Sequence, residues 1–416
     1  VKGLRDASRN RSMVSPGTIS TVHEGTPALT LQSVRALYGH LQANARPAGR
    51  PWVVLVATES PRHQAMAKAL GATVDITWFV PLGNDDATAR QVCATADLVI
   101  ITAEMLEKLA FLQGWHRPIV VDTHPPLKSI QSPHLWPQTI DGLICASEEE
   151  LQHWCNKVAS HDDSVPRDQV VLVPTGIEPA NPTPGFVLRQ AHAEIGTSDK
   201  VILWCGGWEP FDDPQAAIHA LDRLRASDDS VKLIFSTSDD DDRDQVQRAV
   251  EQAMRLTAEL GLTHTVLFIQ VNPLTLQNSY LAEADVGLLL RTHALEASLR
   301  EPAALAAAIE AGLPLVVTDG SAGSSLVRRH GLGDPVPAGD VAALAQAIDK
   351  CLETPPSETR EGFVEARKAL DWAQAIAPLA ELCHRPRFAL DREQTCFLDM
   401  DDMLCPPPVP TAIGDL

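Results

Sequence analysis

The sequence predicts an α/β protein made of two Rossmann-like halves in tandem, and three observations predict it. From Pro51 onward, short apolar runs alternate with amphipathic stretches, the texture of a parallel sheet with crossover helices. The alternation breaks once, at Pro179-Ala-Asn-Pro-Thr-Pro-Gly185, where neither helix nor sheet can continue, and then resumes. A chain of 416 residues with 44% apolar content is long enough to bury two such cores.

The elements follow in order. Residues 1–50 are mixed polar sequence containing Pro16, Pro27 and Pro47. Only Leu29 to Ala45 has helix-compatible apolar spacing, so a lead-in segment with one helix is expected. Strands are expected at Trp52–Ala57, Val74–Val80, Leu98–Thr102, Ile119–Asp122 and Gly142–Ala146, each a short run rich in aliphatic residues. Helices are expected at Pro61–Leu70, Ala87–Ala96 and Glu104–Leu112, with Glu148–Val158 after the last strand. This first domain spans 51–178, and a semi-rigid linker spans 179–198. The second domain, 199–355, alternates strands at Val201–Trp204, Lys232–Thr237, Thr265–Ile269, Val286–Leu290 and Leu315–Thr318 with helices at Pro214–Ala226, Arg243–Leu260, Leu274–Ala284, Pro302–Ala311 and Val341–Leu352. C-terminal helices at 356–384 and an acidic tail at 385–416 end the chain.

Composition excludes some classes of partner. With 34 Lys and Arg against 54 Asp and Glu, the formal charge is −20. Binding to a nucleic-acid backbone would work against that field, so no nucleic-acid partner is expected. No run approaches the roughly 18 consecutive apolar residues of a spanning helix, and residues 1–20 lack a signal peptide's apolar segment, so a cytoplasmic location is expected. The eight cysteines form no C-x-x-C or Cys/His cluster, which argues against structural zinc and a disulfide framework.

Two stretches carry candidate chemistry. Cys205-Gly206-Gly207-Trp208-Glu209-Pro210-Phe211-Asp212 directly follows the first strand of the second domain. Glycines there let the backbone approach a ligand closely, and the next helix offers unpaired N–H groups to an anion such as a diphosphate. The spacing is not G-x-G-x-x-G, and a tight turn without a ligand is the competing reading. The second stretch runs from Asp285 through Arg291-Thr-His293, Glu296, Arg300 and Glu301 to Glu310-Ala-Gly312-Leu-Pro314 and Thr318-Asp319-Gly320. Residues just after strands sit at the sheet's carboxyl edge, which places Arg291, His293, Asp319 and Gly320 on one rim. For Arg291 and His293, a solvated loop competes with a phosphate or sugar contact.

In their order and spacing, Val171-Leu-Val-Pro174-Thr-Gly176-Ile-Glu178, Gly206-Gly207-Trp208 with Phe211-Asp212, and Ala311-Gly312-Leu313-Pro314 with Val316-Val317-Thr318-Asp319-Gly320 resemble the GT-B glycosyltransferases of the group that includes family 4. In the first domain, Pro118-Ile-Val-Val-Asp122 and Asp141-Gly-Leu-Ile-Cys145-Ala-Ser147-Glu148, followed by a helix bearing Trp154, are similar to the bacterial surface-polysaccharide members. The similarity covers about residues 50–355. It implies two domains facing across a cleft, a nucleoside-diphosphate sugar on the second, a glycan, glycoside or lipid-linked acceptor on the first, and retention of anomeric configuration. It further implies Gly206 and Gly207 beside the donor diphosphate, Arg291 as a partner for phosphate charge on the departing nucleotide, and Thr318, Asp319 and Gly320 at the sugar or diphosphate end. Trp208, Asp212, His293 and Glu310 complete the implied nucleotide-sugar site, and His124 and Glu301 join Arg291 as candidate catalytic residues. A satisfied loop histidine is the competing reading of His124. No cofactor and no metal are implied, the nucleotide sugar being a substrate.

The sequence also departs from the family pattern. Counting back from Gly312, the two glutamates of the Glu-x7-Glu motif fall on Leu299 and Ala307, neither of which can accept a side-chain hydrogen bond. The nearest carboxylates, Glu301 and Glu310, lie about two and a half helical turns apart and cannot share a face. After the opening strand the chain reads Thr58-Glu-Ser-Pro-Arg62, without the glycine pair of many relatives. Two readings therefore stay open: an active transferase, and a catalytically degenerate binding or scaffold protein that partners another subunit.

Three further segments are weighed. Ser238-Asp-Asp-Asp-Asp-Arg-Asp244 reads as an acidic cap on a long helix. Phe397-Leu-Asp399-Met-Asp401-Asp402-Met-Leu404 resembles the nucleophile motif of haloacid-dehalogenase phosphatases, but too little chain follows it to complete such a site. An acidic tail that docks on the body or on a protein partner is expected instead. Lys2, Arg5, Arg9 and Arg11 form a small basic arm, expected as a disordered start, whose functional reading is peripheral contact with the membrane's inner face.

Overall fold

The computed structural model describes residues 19–21, 50–58, 60–79, 86–94, 96–109, 112, 115–124, 140–159, 165–177, 188–225, 230–237, 244–270 and 275–389. The expected lead-in helix, the basic arm, the proline-rich stretch, the acidic run at 238–243 and the tail from 390 lie outside the described residues. Two units are present, each described by itself. Unit 1 comprises Val1–Ile144, Cys155–Val171 and Leu379–Leu416, and unit 2 comprises Cys145–Trp154 and Leu172–Pro378.

The first sheet contains Ile19–Thr21 (β1), Trp52–Val56 (β2), Asp75–Phe79 (β3), Leu98–Thr102 (β4), Ile119–Asp122 (β5), Gly142–Cys145 (β6) and Val170–Leu172 (β7). Their order is β1-β3-β2-β4-β5-β6-β7. From β3 through β6 the pairings are parallel, and β1 is antiparallel on β3. The aliphatic runs predict β2 to β6. The remaining two are three-residue strands, too short to show a period, and they are held by ladder bonds to a neighbour. Helices Pro61–Leu70 (α1), Asp86–Cys93 (α2), Ala103–Lys108 (α3) and Glu148–Ala159 (α4) follow β2, β3, β4 and β6. Pro61 opens α1, and the Ser60 hydroxyl caps it by accepting the His63 N–H at 3.1 Å.

The second sheet contains Lys200–Trp204 (β8), Val231–Thr237 (β9), Val266–Gln270 (β10), Val286–Leu289 (β11), Leu315–Thr318 (β12) and Gly333–Val336 (β13). All its pairings are parallel, in the order β10-β9-β8-β11-β12-β13. Around it run Leu188–Ala191 (α5), Pro214–Arg225 (α6), Asp244–Glu259 (α7), Thr275–Glu283 (α8), Leu295–Leu299 (α9), Ala303–Ala311 (α10), Ser324–His330 (α11), Val341–Glu353 (α12) and Pro356–Ala369 (α13). Trp372–Ala375 (α14) and Ala377–His384 (α15) follow.

The period of two explains why these strands are apolar throughout. Ile202, Trp204, Leu233, Phe235 and Leu288 enter one core cluster, while Val201, Leu203, Ile234 and Leu289 enter the other, so helices cover both faces. The sequence gives no strand signal at β13, which contains Gly333 and Pro335. Proline is tolerated there because β13 ends the sheet order. Gly333 is required because, at φ 149°, a Cβ would lie 1.9 Å from the Leu315 carbonyl oxygen. Among the described residues no helix is long and apolar enough to cross a membrane.

Candidate functional site

The carboxyl edge of the second sheet gathers the loops after β8, β11 and β12, which are adjacent in the sheet. Their backbones interlock. Asp213 donates its N–H to the Leu290 carbonyl at 3.0 Å, Thr292 donates to Phe211 at 2.8 Å, and Asp212 and Arg291 form an isolated bridge. The Thr318 hydroxyl accepts the Arg291 N–H at 2.7 Å and donates to the Arg291 carbonyl at 3.1 Å.

Gly206 and Gly207 are needed for proximity. A Cβ on Gly206 would lie 2.4 Å from the Trp204 ring, and one on Gly207 would lie 2.8 Å from Asp212 Oδ2. The Trp204 indole donates to the Gly207 carbonyl at 3.1 Å. Trp208 is buried beneath the turn, its ring centroid 5.4 Å from that of Phe235 and 6.5 Å from that of Trp204. The glycine turn thus sits on an aromatic floor that fixes its shape.

Asp212 and Arg291 form the charged centre of this edge, at 8% and 5% exposure. Asp212 Oδ2 accepts the Glu209 N–H at 2.9 Å, and Oδ1 lies 3.5 Å from Arg291 Nε. Arg291 Nη1 donates to the Ala297 carbonyl at 3.0 Å and to the Arg300 carbonyl, and the guanidinium lies over the Phe211 ring, 5.2 Å from its centroid. Burial pushes the Asp212 carboxyl above its ordinary pKa, a rise that the Arg291 charge only partly offsets. Burial likewise lowers the Arg291 pKa, and Asp212 opposes it. Arg291 is therefore a brace that closes the rim from inside, where the sequence suggests a phosphate partner. The cation nearer solvent is Arg300, 3.6 Å from Glu209 and 5.8 Å from the Phe211 centroid. A cavity of about 400 Å³ opens beside this rim, walled by Trp208, Glu209, Asp212, Asp213, Arg248 and Gln252 among others.

The other expected site residues separate. His293 is exposed two residues beyond the brace. Asp319 is exposed and paired with Arg328 at 2.6 Å, and Gly320, at φ 76°, donates its N–H to the Ser324 hydroxyl at 3.1 Å. Glu301 is buried, and its Oε2 accepts from the Thr175 hydroxyl at 2.5 Å and the Thr175 N–H at 3.1 Å. Glu310 lies in the last turn of α10, which leads into the start of β12, so it stands at the amino-terminal edge of the sheet, away from the rim. Leu299 is buried, and Ala307 packs against a core cluster.

Unit 1 has a buried polar cluster at the carboxyl edge of its own sheet. Asp122 ends β5, and its Oδ2 lies 3.2 Å from His63 Nε2 and 3.5 Å from Arg62 Nε. Its Oδ1 accepts the His124 N–H at 3.1 Å. With Nε2–H donated to the carboxylate, His63 Nδ1 accepts the Ser60 hydroxyl at 2.8 Å. Burial alone would raise the Asp122 pKa, but Arg62 and the His63 hydrogen bond hold it well below the usual carboxylate range. His124 is half-buried beside this cluster.

Sequence reasoning placed Glu209 and Arg300 in its candidate stretches without giving either a role, and it missed Arg62, His63 and Glu149. Glu149 accepts from the Gly323 N–H, the Ser324 hydroxyl and the Ser325 N–H, at 3.0, 3.0 and 2.7 Å. The amide-rich Gly320-Ser-Ala-Gly323-Ser-Ser325 run was the available signal for such a carboxylate contact. Among the described residues, no three His, Cys, Asp or Glu side chains gather as a metal site requires.

The comparisons bear on this geometry. Residues 199–354 match the family described as "Glycosyl transferases group 1". No curated protein matches in sequence. Among solved structures, Anabaena Alr3699/HepE in complex with UDP and glucose is similar at a TM-score of 0.62 and 15% identity, covering 80% of this chain and 99% of that one. An E. coli trehalose-6-phosphate structure bound with UDP-2-fluoro glucose gives 0.59 and 15%, over 81% and 100%. Sucrose-phosphate synthase from Thermosynechococcus elongatus gives 0.56 and 14%, over 80% and 98%.

Proposed function

We propose that this chain, which has the GT-B fold and matches group 1 glycosyl transferases over residues 199–354, is a nucleotide-sugar-dependent glycosyltransferase acting on a glycan or glycoside acceptor with retention of configuration. The observation that carries the reading is the Gly206–Asp212 turn, held on Trp208 and locked to Arg291, at the carboxyl edge of the family-matched sheet. Open α/β sheets bind ligands at that edge. The 400 Å³ cavity beside it has the size of a ligand pocket, and the similar proteins from Anabaena and E. coli are complexes with UDP or a UDP-sugar.

In this reading the nucleoside diphosphate leaves as its bond to the sugar's anomeric carbon breaks, the acceptor hydroxyl oxygen takes that carbon, and the hydroxyl proton passes to the departing diphosphate. Backbone N–H groups of the glycine turn and the Arg300 guanidinium face the charge that develops on the leaving diphosphate. Arg291 acts on the turn by holding it, without touching the ligand. The His124 segment, fixed by Asp122, belongs to the acceptor side. The proposal uses no metal or cofactor, because these amides and cations meet the leaving group's charge.

The test is a screen of nucleoside diphosphates against the melting temperature of the full chain. One of them raises it, and Gly207→Val, which drives a branched side chain against Asp212, removes the shift. No shift with any nucleotide overturns the reading. A second reading, a catalytically degenerate binding protein, is favoured by Leu299 and Ala307, which pack as core at the two motif positions. Turnover in donor-hydrolysis or transfer assays of the chain alone overturns that second reading.

A further inference from the structure

We propose that unit 2 carries a second ligand site, for a small phosphorylated organic molecule, at the amino-terminal edge of its sheet. This inference does not rest on the transferase reading. Lys200 opens β8, Asp285 immediately precedes β11, and Gly312 and Pro314 lead into β12. With α12 and α13 they enclose a cavity of about 360 Å³, within the range of small-molecule sites. It lies at the opposite edge from Gly207 and Arg291.

The wall is cationic in a strongly acidic chain. Lys200, Arg360 and Arg367 line it against a single carboxylate, Asp285. That carboxylate is already shared, 3.1 Å from Lys200 Nζ and 3.6 Å from Arg189. Arg367 is held in place from behind: its Nε donates to the Ile309 and Glu310 carbonyls, each at 3.1 Å. Its Nη2 faces Gly312, where a Cβ would come within 2.9 Å. Arg360 is exposed and pairs with no carboxylate among the described residues. The acidic Glu353, Glu358 and Glu361 of the same two helices are not among the cavity walls. Two guanidinium groups in excess over local carboxylates suit a doubly charged phosphate, which accepts their planar forks.

The rest of the wall selects an organic ligand over a bare anion. Leu352 and Phe363 supply an apolar floor. The Thr354 and Thr359 hydroxyls donate to the Lys350 and Pro356 carbonyls, at 2.7 and 3.4 Å, which leaves their oxygens to accept hydroxyl groups of a ligand. A phosphate carrying a small hydroxylated body, such as a monophosphorylated sugar, matches all three features.

The experiment is calorimetric titration of the full chain with glucose 6-phosphate, inorganic phosphate and neutral glucose, with and without saturating UDP. Glucose 6-phosphate should bind saturably with a Kd of about 1 mM, more tightly than inorganic phosphate, and glucose should not bind. Arg360→Glu and Arg360→Ala should each weaken it by about tenfold or more, while Gly207→Val and UDP leave it unchanged. Three results would overturn the proposal: no saturable binding of either phosphate probe, equal binding by glucose or by inorganic phosphate, or displacement by UDP, which would assign the heat to the opposite edge. Undiminished binding in both Arg360 variants would do the same.

Discussion

Arg291→Met separates a brace from a ligand contact. The substitution keeps an unbranched side chain over Phe211 but removes the only cation within 4 Å of the Asp212 carboxylate among the described residues, together with the donor to the Ala297 and Arg300 carbonyls. Removing one partner of a buried pair costs about 3–5 kcal/mol, because the remaining charge stays desolvated. The expected loss in urea unfolding at pH 7 is therefore about 3–5 kcal/mol, and since roughly 2–4 °C follows each kcal/mol in a domain of this size, the melting temperature should fall by about 6–20 °C. The pH dependence has a definite sign. Asp212 already has a raised folded pKa, so its ionised form opposes folding above that pKa, and the penalty is relieved as pH falls through it. Arg291→Met raises that pKa further, and the variant should recover stability relative to wild type as pH falls from 7 toward 5. Adding Asp212→Asn should restore part of the loss at pH 7. A variant with wild-type stability and no nucleotide binding would refute the brace and restore the direct phosphate contact.

Four other outcomes follow from the same geometry. Asp122→Asn should weaken acid dependence, because a carboxyl with a depressed folded pKa contributes fully above the unfolded value of about 4, begins to lose that contribution below it, and has lost it only once pH falls through the folded pKa. Urea unfolding at pH 7, 3.5 and 2.5 should show the gap between the two proteins beginning to narrow at pH 3.5 and narrowing further at pH 2.5. Trp208→Ala should cost about 3–5 kcal/mol in thermal unfolding and Trp208→Phe clearly less, since the ring packs on Phe235. At pH 8 a thiol reagent should leave Cys93, Cys205 and Cys383 unmodified in the native chain, because burial pushes each to about 12, and should reach them only in denaturant, as peptide mass analysis would read out. Glu301→Gln should retain stability by accepting from Thr175 as the acid does, whereas Glu301→Ala should lose about 1–3 kcal/mol. Activity that falls at least a hundredfold in Glu301→Gln, with stability unchanged, would give its charge a catalytic role.

The fold was legible wherever a side-chain period exists. The β2 to β6 and β8 to β12 runs are aliphatic because helices cover both sheet faces, as the division of Trp204 and Leu203 between two core clusters illustrates. Short edge elements were not legible. A three-residue strand such as β1 has no period, and β13 reads Gly-Asp-Pro-Val because an edge position demands fewer ladder bonds. Strand ends place Arg291, His293, Asp319 and Gly320 just after β11 and β12, but position after a strand does not set a side chain's direction. Arg291 turns inward because the Ala297 and Arg300 carbonyls and the Asp212 carboxylate, all brought near by tertiary packing, compete for its donors. The Asp122 cluster escaped notice for a related reason. Arg62 and His63 are nearly sixty residues from Asp122 and read locally as the first turn of an amphipathic helix.

The carboxylates nearest Leu299 and Ala307, where the resemblance would place the motif glutamates, stand in different surroundings. Glu301 Oε2 accepts from the Thr175 N–H and hydroxyl, and Glu310 stands at the opposite edge, where α10 hands the chain to β12. Leu299 is buried and Ala307 is partly buried against a core cluster, so a glutamate at 299 would bury a charge. The proposed reaction would draw on the turn amides and Arg300 at the rim, and in unit 1 on the His124 segment that Asp122 fixes. On the proposed reading the rim meets the diphosphate's charge, and the acceptor proton passes to the departing diphosphate or to a side chain such as His124. If the proposed reading holds, Gly207→Val should remove both nucleotide binding and turnover, while His124→Ala should leave the nucleotide-induced melting shift intact and lower turnover in a transfer assay if unit 1 supplies the proton step.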